Sequence, residues 1–231
     1  MKDITSKGSR HSDFEKSILV HVLRVKPYVK HRLFTAETSG VVPRNMYKSS
    51  GIIDDAIIKL HEIFEGQSME DQEIKLKLFL LLNERLDELF KQEEFHKYTI
   101  NTSQVLKEEL EHLEEKFELD LDSDLVMSDE LDDISYHQDD GQRSLVLYED
   151  AEENIIQTLE IYDSRRDLTE NKRIVLNEVY SWLPFETSNI LDLFVFGKLT
   201  YEEIACIKNV DEVEIKSIIA TINRGFRKNL N

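Results

Sequence analysis

The sequence predicts an all-α protein of two small helical domains joined by a long acidic linker. Three observations carry that expectation. Gly (7) and Pro (3) are scarce among 231 residues, while Leu, Ile, Glu and Lys abound, a composition that favours helix. Apolar residues recur at three- and four-residue steps through both ends of the chain. Charge is segregated: 19 acidic and 2 basic residues lie between Glu108 and Glu153, a net of −17 out of −18. The remainder is close to neutral, with 10 basic against 4 acidic residues in the first 50, and 4 basic with none acidic in the last 16. Near-neutral or basic modules therefore flank one acidic segment, and a hydrophobic content of 40% suffices for packed cores.

Several classes of protein are disfavoured. The strongest apolar run, Leu76 to Leu82, is broken by Lys77 and ends at Asn83-Glu84-Arg85, short of the roughly 18 apolar residues of a membrane span. The N-terminus lacks the apolar core of a secretion signal, so a cytoplasmic protein without membrane partners is expected. One cysteine, Cys206, allows neither an internal disulfide nor a cysteine zinc site and reads as a core thiol. His61-Glu62 is not followed by a second His at metalloprotease spacing. There is no Gly-rich phosphate loop, nucleophile elbow or EF-hand spacing. No enzyme chemistry, cofactor or metal is expected.

Element by element, residues 1–13 are polar and expected to be flexible. From Phe14 the helical pattern runs through Ile18, Leu19, Val22, Leu23 and Val25, with Pro27 marking a kink or a restart before Tyr28, Val29, Leu33 and Phe34. Ser39 to Pro43 is a loop. Ile52 to Phe64 predicts an amphipathic helix with Ile53, Ala56, Ile57, Leu60 and Phe64 on one face, ended by Glu65-Gly66-Gln67-Ser68. Glu70 to Lys91 follows as a helix with a wide apolar face. These elements make a first domain, residues 14–97. Residues 98–165 form the acidic linker: a short helix over Val105 to Phe117, an extended or disordered run over Glu118 to Gln142, and regained helix from Asp150 to Tyr162.

A second domain, residues 166–231, begins with Thr169 as N-cap and Ile174, Val175, Val179, Trp182 and Leu183 at helical spacing. Pro184 starts a helix to Phe196, which Gly197 ends at C′. Thr200 caps Tyr201 to Ile207, Lys208-Asn209 is a turn in which Asn accepts positive φ, and Asp211 caps a last helix to Lys228. Two short helices about a tight turn make a helix-turn-helix, whose second helix can enter a major groove.

The wording of that module is more specific than its geometry. Trp182-Leu183-Pro184, Leu191-Asp192-Leu193-Phe194, Gly197 to Ala205 and Ile215-Lys216-Ser217 resemble region 4 of bacterial sigma factors, and Leu199-Thr200-Tyr201-Glu202-Glu203-Ile204-Ala205 is close to that family's signature. The resemblance implies contact with the upstream promoter element and with the flap of the RNA polymerase β subunit. It places Thr200, Tyr201, Glu202, Lys216, Ser217, Arg224, Arg227 and Lys228 at the DNA.

Ile52 to Glu62 resembles the region 2.2 helix, which docks on the β′ clamp helices. This implies polymerase binding by Ile53, Asp54, Asp55, Ile57, Ile58, Lys59, His61 and Glu62. Phe64 to Ser68 resembles the loop that cradles a flipped minus-ten base, and Leu76 to Asn83 the region 2.3 helix. Promoter melting is then implied for Gly66, Gln67, Ser68, Phe79 and Asn83. Regions 2 and 4 with no recognisable region 3 between them is the layout of the extracytoplasmic-function subgroup. The resemblance covers about residues 15–95 and 167–230.

Elementary chemistry runs alongside. A melting module needs a basic face, for which Arg24, Lys26, Lys30, Arg32, Arg44 and Lys48 are candidates, and aromatic rings for unstacked bases, for which Tyr28, Tyr47 and Phe79 are candidates. Each of these also reads as an ordinary solvated or core residue. The aspartates from Asp120 to Asp140 suit either an RNA mimic threading the polymerase's basic channels, as the family's linker does, or a solubilising spacer.

The final helix departs from the family. Asp211, Glu212 and Glu214 stand where Ser or Thr is usual, and carboxylates repel phosphates. Weak autonomous reading of DNA is expected, with recruitment by another DNA-bound or RNA-guided protein, and with Ile218 and Ile219 as an exposed protein-binding face. An anti-sigma factor is a further implied partner. The alternatives are a sigma-like adaptor that works through protein contacts without opening promoters, and a stand-alone helix-turn-helix repressor.

Overall fold

The computed structural model describes residues 3–64, 69–98, 147–161 and 169–230, with side chains from Phe14 onward except at 97 and 98. The described residues form eight helices and no strand. They are α1 (Asp3–Thr38), α2 (Ser49–Phe64), α3 (Asp71–Tyr98), α4 (Glu149–Thr158), α5 (Glu170–Ser181), α6 (Phe185–Val195), α7 (Tyr201–Lys208) and α8 (Glu212–Leu230). The flipped-base loop expected at Gly66, Gln67 and Ser68, the helix expected at Val105 to Phe117 and the acidic run to Gln142 lie outside the described residues.

The chain's apolar spacing explains the first three helices. Phe14, Ile18, Val25, Val29 and Leu33 of α1 pack on Ile52, Ala56, Leu60 and Phe64 of α2 and on Ile74, Leu78, Leu82 and Leu86 of α3. Phe14 stacks on Phe64 with centroids 3.7 Å apart. α1 begins at Asp3, inside the stretch expected to be flexible, and runs through Pro27 as one helix of 36 residues. Proline removes one backbone hydrogen bond there, but Val25, Tyr28 and Val29 on either side are wholly buried and hold the turn in the helix.

α4 lies where helix was expected between Asp150 and Tyr162, and it packs into the core. Leu147, Ala151, Ile155, Ile156 and Leu159 are buried. Asn223 and Arg227 of α8 donate to the carbonyls of Leu159 and Glu160 at its C-terminal end.

Gly197 stands at C′, after the C-cap Phe196, as expected, but not for a left-handed backbone. The left-handed residue after α6 is Lys198, at φ 50°. Gly197 is required by proximity instead: a Cβ there would meet Leu193 O at 2.5 Å and Phe79 Cε1 at 3.1 Å. Phe79 belongs to α3, so the glycine marks where the C-terminal helices close on the N-terminal ones. α6 packs on α1 and α7 on α3, and the buried residues of all eight helices form one continuous core.

Candidate functional site

α2 presents two faces. Ile53 is buried, and Ile57 and His61 are half-buried, because these positions close the α1–α2–α3 core; Phe14 meets the His61 ring edge-on at 5.1 Å. Asp54, Asp55, Ile58, Lys59 and Glu62 face outward. Asp55 accepts from Arg85 Nε at 3.3 Å across the surface. The outward face is therefore an exposed isoleucine, Ile58, framed by charges at the four-residue spacing of one helix side.

The residues expected to read a melted strand lie elsewhere. Phe79 is fully buried and Asn83 nearly so. Asn83 Oδ1 accepts from Asn189 Nδ2 of α6 at 2.7 Å, and Asn83 Nδ2 donates to Asp87 Oδ2 at 3.1 Å. Tyr28 Oη donates to Asn189 Oδ1 at 2.9 Å. Burial drives the Tyr28 phenol far above its ordinary pKa, so it stays a donor. Burial likewise raises Asp87. The expected stacking aromatics are thus taken: Tyr28 and Phe79 by the core, and Tyr47 by Glu93, to which its hydroxyl donates at 2.6 Å.

One helical turn along α1, Arg32 corrects its assignment to a basic face. It is buried, and its Nη1 donates to Asp192 Oδ2 at 3.1 Å and to Ser188 Oγ at 3.3 Å. Burial opposes the charge, but the Asp192 carboxylate and its hydrogen bond outweigh it and hold the guanidinium above its usual value. Tyr180 Oη donates to Asp192 Oδ1 at 2.8 Å. Burial, then the Asp192 charge, pushes that phenol well up. His31 Nε2 lies 3.0 Å from Tyr180 Oη and 3.3 Å from Asp192 Oδ1. Since the tyrosine proton is already given to Asp192, His31 must donate from Nε2. Its ring stacks on Phe196 at 3.8 Å. Arg24, Lys26, Lys30, Arg44 and Lys48 remain exposed.

Glu203 on α7 makes a third cross-link. Its carboxylate accepts from Lys75 Nζ at 2.6 Å and from Gln72 Nε2, both on α3, and from its own N-cap Thr200 N at 3.0 Å. Burial works to raise its pKa, but Lys75, Thr200 N–H and Gln72 together bring it below the ordinary value. Glu203 so completes a capping box with Thr200 while clamping α7 to α3. Sequence reading passed over Asn189, Asp192 and this role of Glu203. The available signal was Asn189 beside, and Asp192 within, the apolar run Ile190 to Phe196, since polar groups on a buried helix face need partners.

The C-terminal pair, α7 and α8, joins through residues 209–211, with Asn209 left-handed at φ 53°. Thr200, Glu202, Lys216, Ser217, Arg224, Arg227 and Lys228 are exposed, while Tyr201 is half-buried and stacks on Phe194 at 5.2 Å. Lys216 pairs with Glu212 at 2.8 Å. Arg227, expected at DNA phosphates, instead donates to Glu160 O at 2.7 Å and to Asn223 Oδ1 at 2.9 Å. Ile219 is buried and Ile218 packs against the core, so the exposed apolar residue of α8 is Val213. Cys206, expected in the core, is exposed on α7. Among the described residues no helix is long and apolar enough to cross a membrane, and no cluster of His, Cys, Asp or Glu could hold a metal. Comparison with protein-family models, with curated proteins and with solved structures returns no match, so residues and geometry alone carry the functional argument.

Proposed function

We propose that the chain is a sigma-type transcription-initiation factor of the extracytoplasmic-function kind, binding core RNA polymerase and directing promoter recognition and opening. The observation that carries this reading is the α7–α8 pair. The family-like string Leu199 to Ala205 spans a capped helix start at Thr200, and the left-handed Asn209 turns the chain into α8. The outward face of α2, with Ile58 among Asp54, Lys59 and Glu62, suits docking on the clamp helices of β′.

α8 suits DNA poorly by itself. Asp211, Glu212 and Glu214 are exposed at its start, Glu212 occupies Lys216, and Arg227 is engaged within the chain. Recruitment by another DNA-bound or RNA-guided protein, through the acidic start of α8 around Val213, fits that surface better. Burial of Phe79 and Asn83 favours a second reading, an adaptor acting through protein contacts without opening promoters. On the first reading α3 and α6 must part before Asn83 meets a strand.

Core RNA polymerase purified without sigma provides the test. Co-purification with the full chain is expected, and Ile58→Glu should abolish it while leaving Tm unchanged. Permanganate reactivity at a start site in the reconstituted complex then supports the initiation factor; binding without reactivity supports the adaptor; no binding overturns both.

A further inference from the structure

Leu19, Val20 and Leu23 on the outer side of α1 are 67%, 51% and 75% exposed. Leaving a leucine pair one turn apart in water is unfavourable, and a covering partner would remove that cost. The stripe they begin continues through Pro27 and Lys30 to Phe34, in steps of four, four, three and four residues. Arg24, Lys26 and Lys30 lie on or beside it, all exposed. No acidic residue stands between Glu15 and Glu37. Asp71 of α3, whose charge Arg24 feels, already accepts from Ser17 and meets His21 Nε2 at 3.0 Å. The stripe is covered at its other end. Tyr148 sets its ring edge-on against Phe34, with centroids 5.0 Å apart. The chain therefore rejoins the described residues, at Leu147 and Tyr148, on this same stripe.

We infer that the stripe from Leu19 to Lys30 is the docking site of the chain's own acidic segment, residues 118–142. That segment has ten acidic residues and no Lys or Arg. Its apolar residues, among them Leu119, Leu121, Leu125, Leu131 and Ile134, are set between the acids. A leucine pair beside three cations complements this composition in both respects: apolar against apolar, and positive against negative. The cations of α8 suit the segment less well. Lys216 pairs with Glu212, and Arg227 donates to the carbonyl of Glu160.

Chain length brings the segment within reach from both ends. Leu19 lies 15 residues before Phe34, about 22 Å along the helix. An extended chain covers that in about seven residues, and Asp140 stands eight residues before Tyr148. Glu118 stands 20 residues after Tyr98, about 66 Å when extended, against about 42 Å for the whole of α3. Attachment at both ends gives the segment an effective concentration on the order of millimolar at the stripe, so a weak contact suffices to populate it. Docking itself does not rest on the proposed function. Only its consequence does: the docked segment withholds Arg24, Lys26 and Lys30 from nucleic-acid phosphates.

The test uses the full chain alone, without polymerase or DNA, so its failure leaves the proposed function standing. A photoreactive benzophenone amino acid replaces Leu23, which keeps the position apolar. In a second chain the same label replaces Ile58, on the outward face of α2. After irradiation, the linked peptides are mapped by mass spectrometry. Position 23 should link mainly to residues 118–142 of the same chain, at monomer mass, and position 58 should not. Lys26→Glu together with Lys30→Glu, both at exposed positions, should lower the yield from position 23 about five-fold or more while Tm stays as in the parent. If the doubly reversed chain does not fold, the comparison of positions 23 and 58 decides. The proposal is overturned if position 23 gives no link to 118–142, if its links appear only at dimer mass (a second copy then covers the stripe), if position 58 links the segment equally, or if the folded charge-reversed chain keeps the parent yield.

Discussion

Glu203 does two things with one carboxylate: one oxygen caps α7 through Thr200 N, and the other takes Lys75 and Gln72 from α3. Its folded pKa is depressed. The contribution to stability is therefore fully present above the unfolded value, roughly 4.3, and is lost as pH falls through the folded value. Glu203→Gln can keep the capping box, since Gln also reaches back to an N-cap amide. It leaves Lys75 facing a neutral amide. The variant should lose about 1–3 kcal/mol near neutral pH and show a shallower fall in stability below about pH 4. Urea unfolding across pH reads both; an unchanged acid slope would mean the charge is inert. The cap was legible in Thr200-Tyr201-Glu202-Glu203. The clamp was not, because no local pattern tells a capping glutamate that a lysine far back in sequence lies against it.

At the level of elements, periodicity located every described helix, since each buries an apolar stripe the sequence displays, but it missed the start of α1 at Asp3 and the run of α3 beyond Lys91 to Tyr98. It placed the glycine after α6 at C′, next to the C-cap Phe196, but did not show the close approach that requires it. Gly197→Ala should therefore cost stability through crowding, not through φ: about 1–3 kcal/mol as Leu193 and Phe79 shift. Chemical denaturation would check the cost. A stabilising alanine, as expected at an uncrowded negative-φ glycine, would refute the close contact. The candidate site was half legible for the same kind of reason. The outward stripe of α2 follows from one helix's own spacing, whereas the fate of Tyr28, Arg32, Phe79 and Asn83 depended on which helix covers them, a long-range fact carried by Asn189 and Asp192 of α6.

Across the whole molecule, the expectation of two domains on a linker meets a core that runs through all eight described helices. Domains that share so much buried surface do not unfold independently. Calorimetry of the full chain should give one transition with matching calorimetric and van't Hoff enthalpies. Two resolved transitions would show that the N-terminal and C-terminal helices are separate cooperative units.

The seam between those helices has hydroxyl, amide, imidazole and charged groups at its centre: Tyr28, His31, Arg32, Asn83, Asn189 and Asp192. An obligate interface is usually more apolar, and once parted it exposes sticky surface. Here the parted faces would regain water at the groups that had bonded to one another, which lowers the cost of separation. The seam is therefore strict in the closed state, where each polar group needs a particular partner, and the apolar contacts beside it, such as Phe90 on Phe185, close with it.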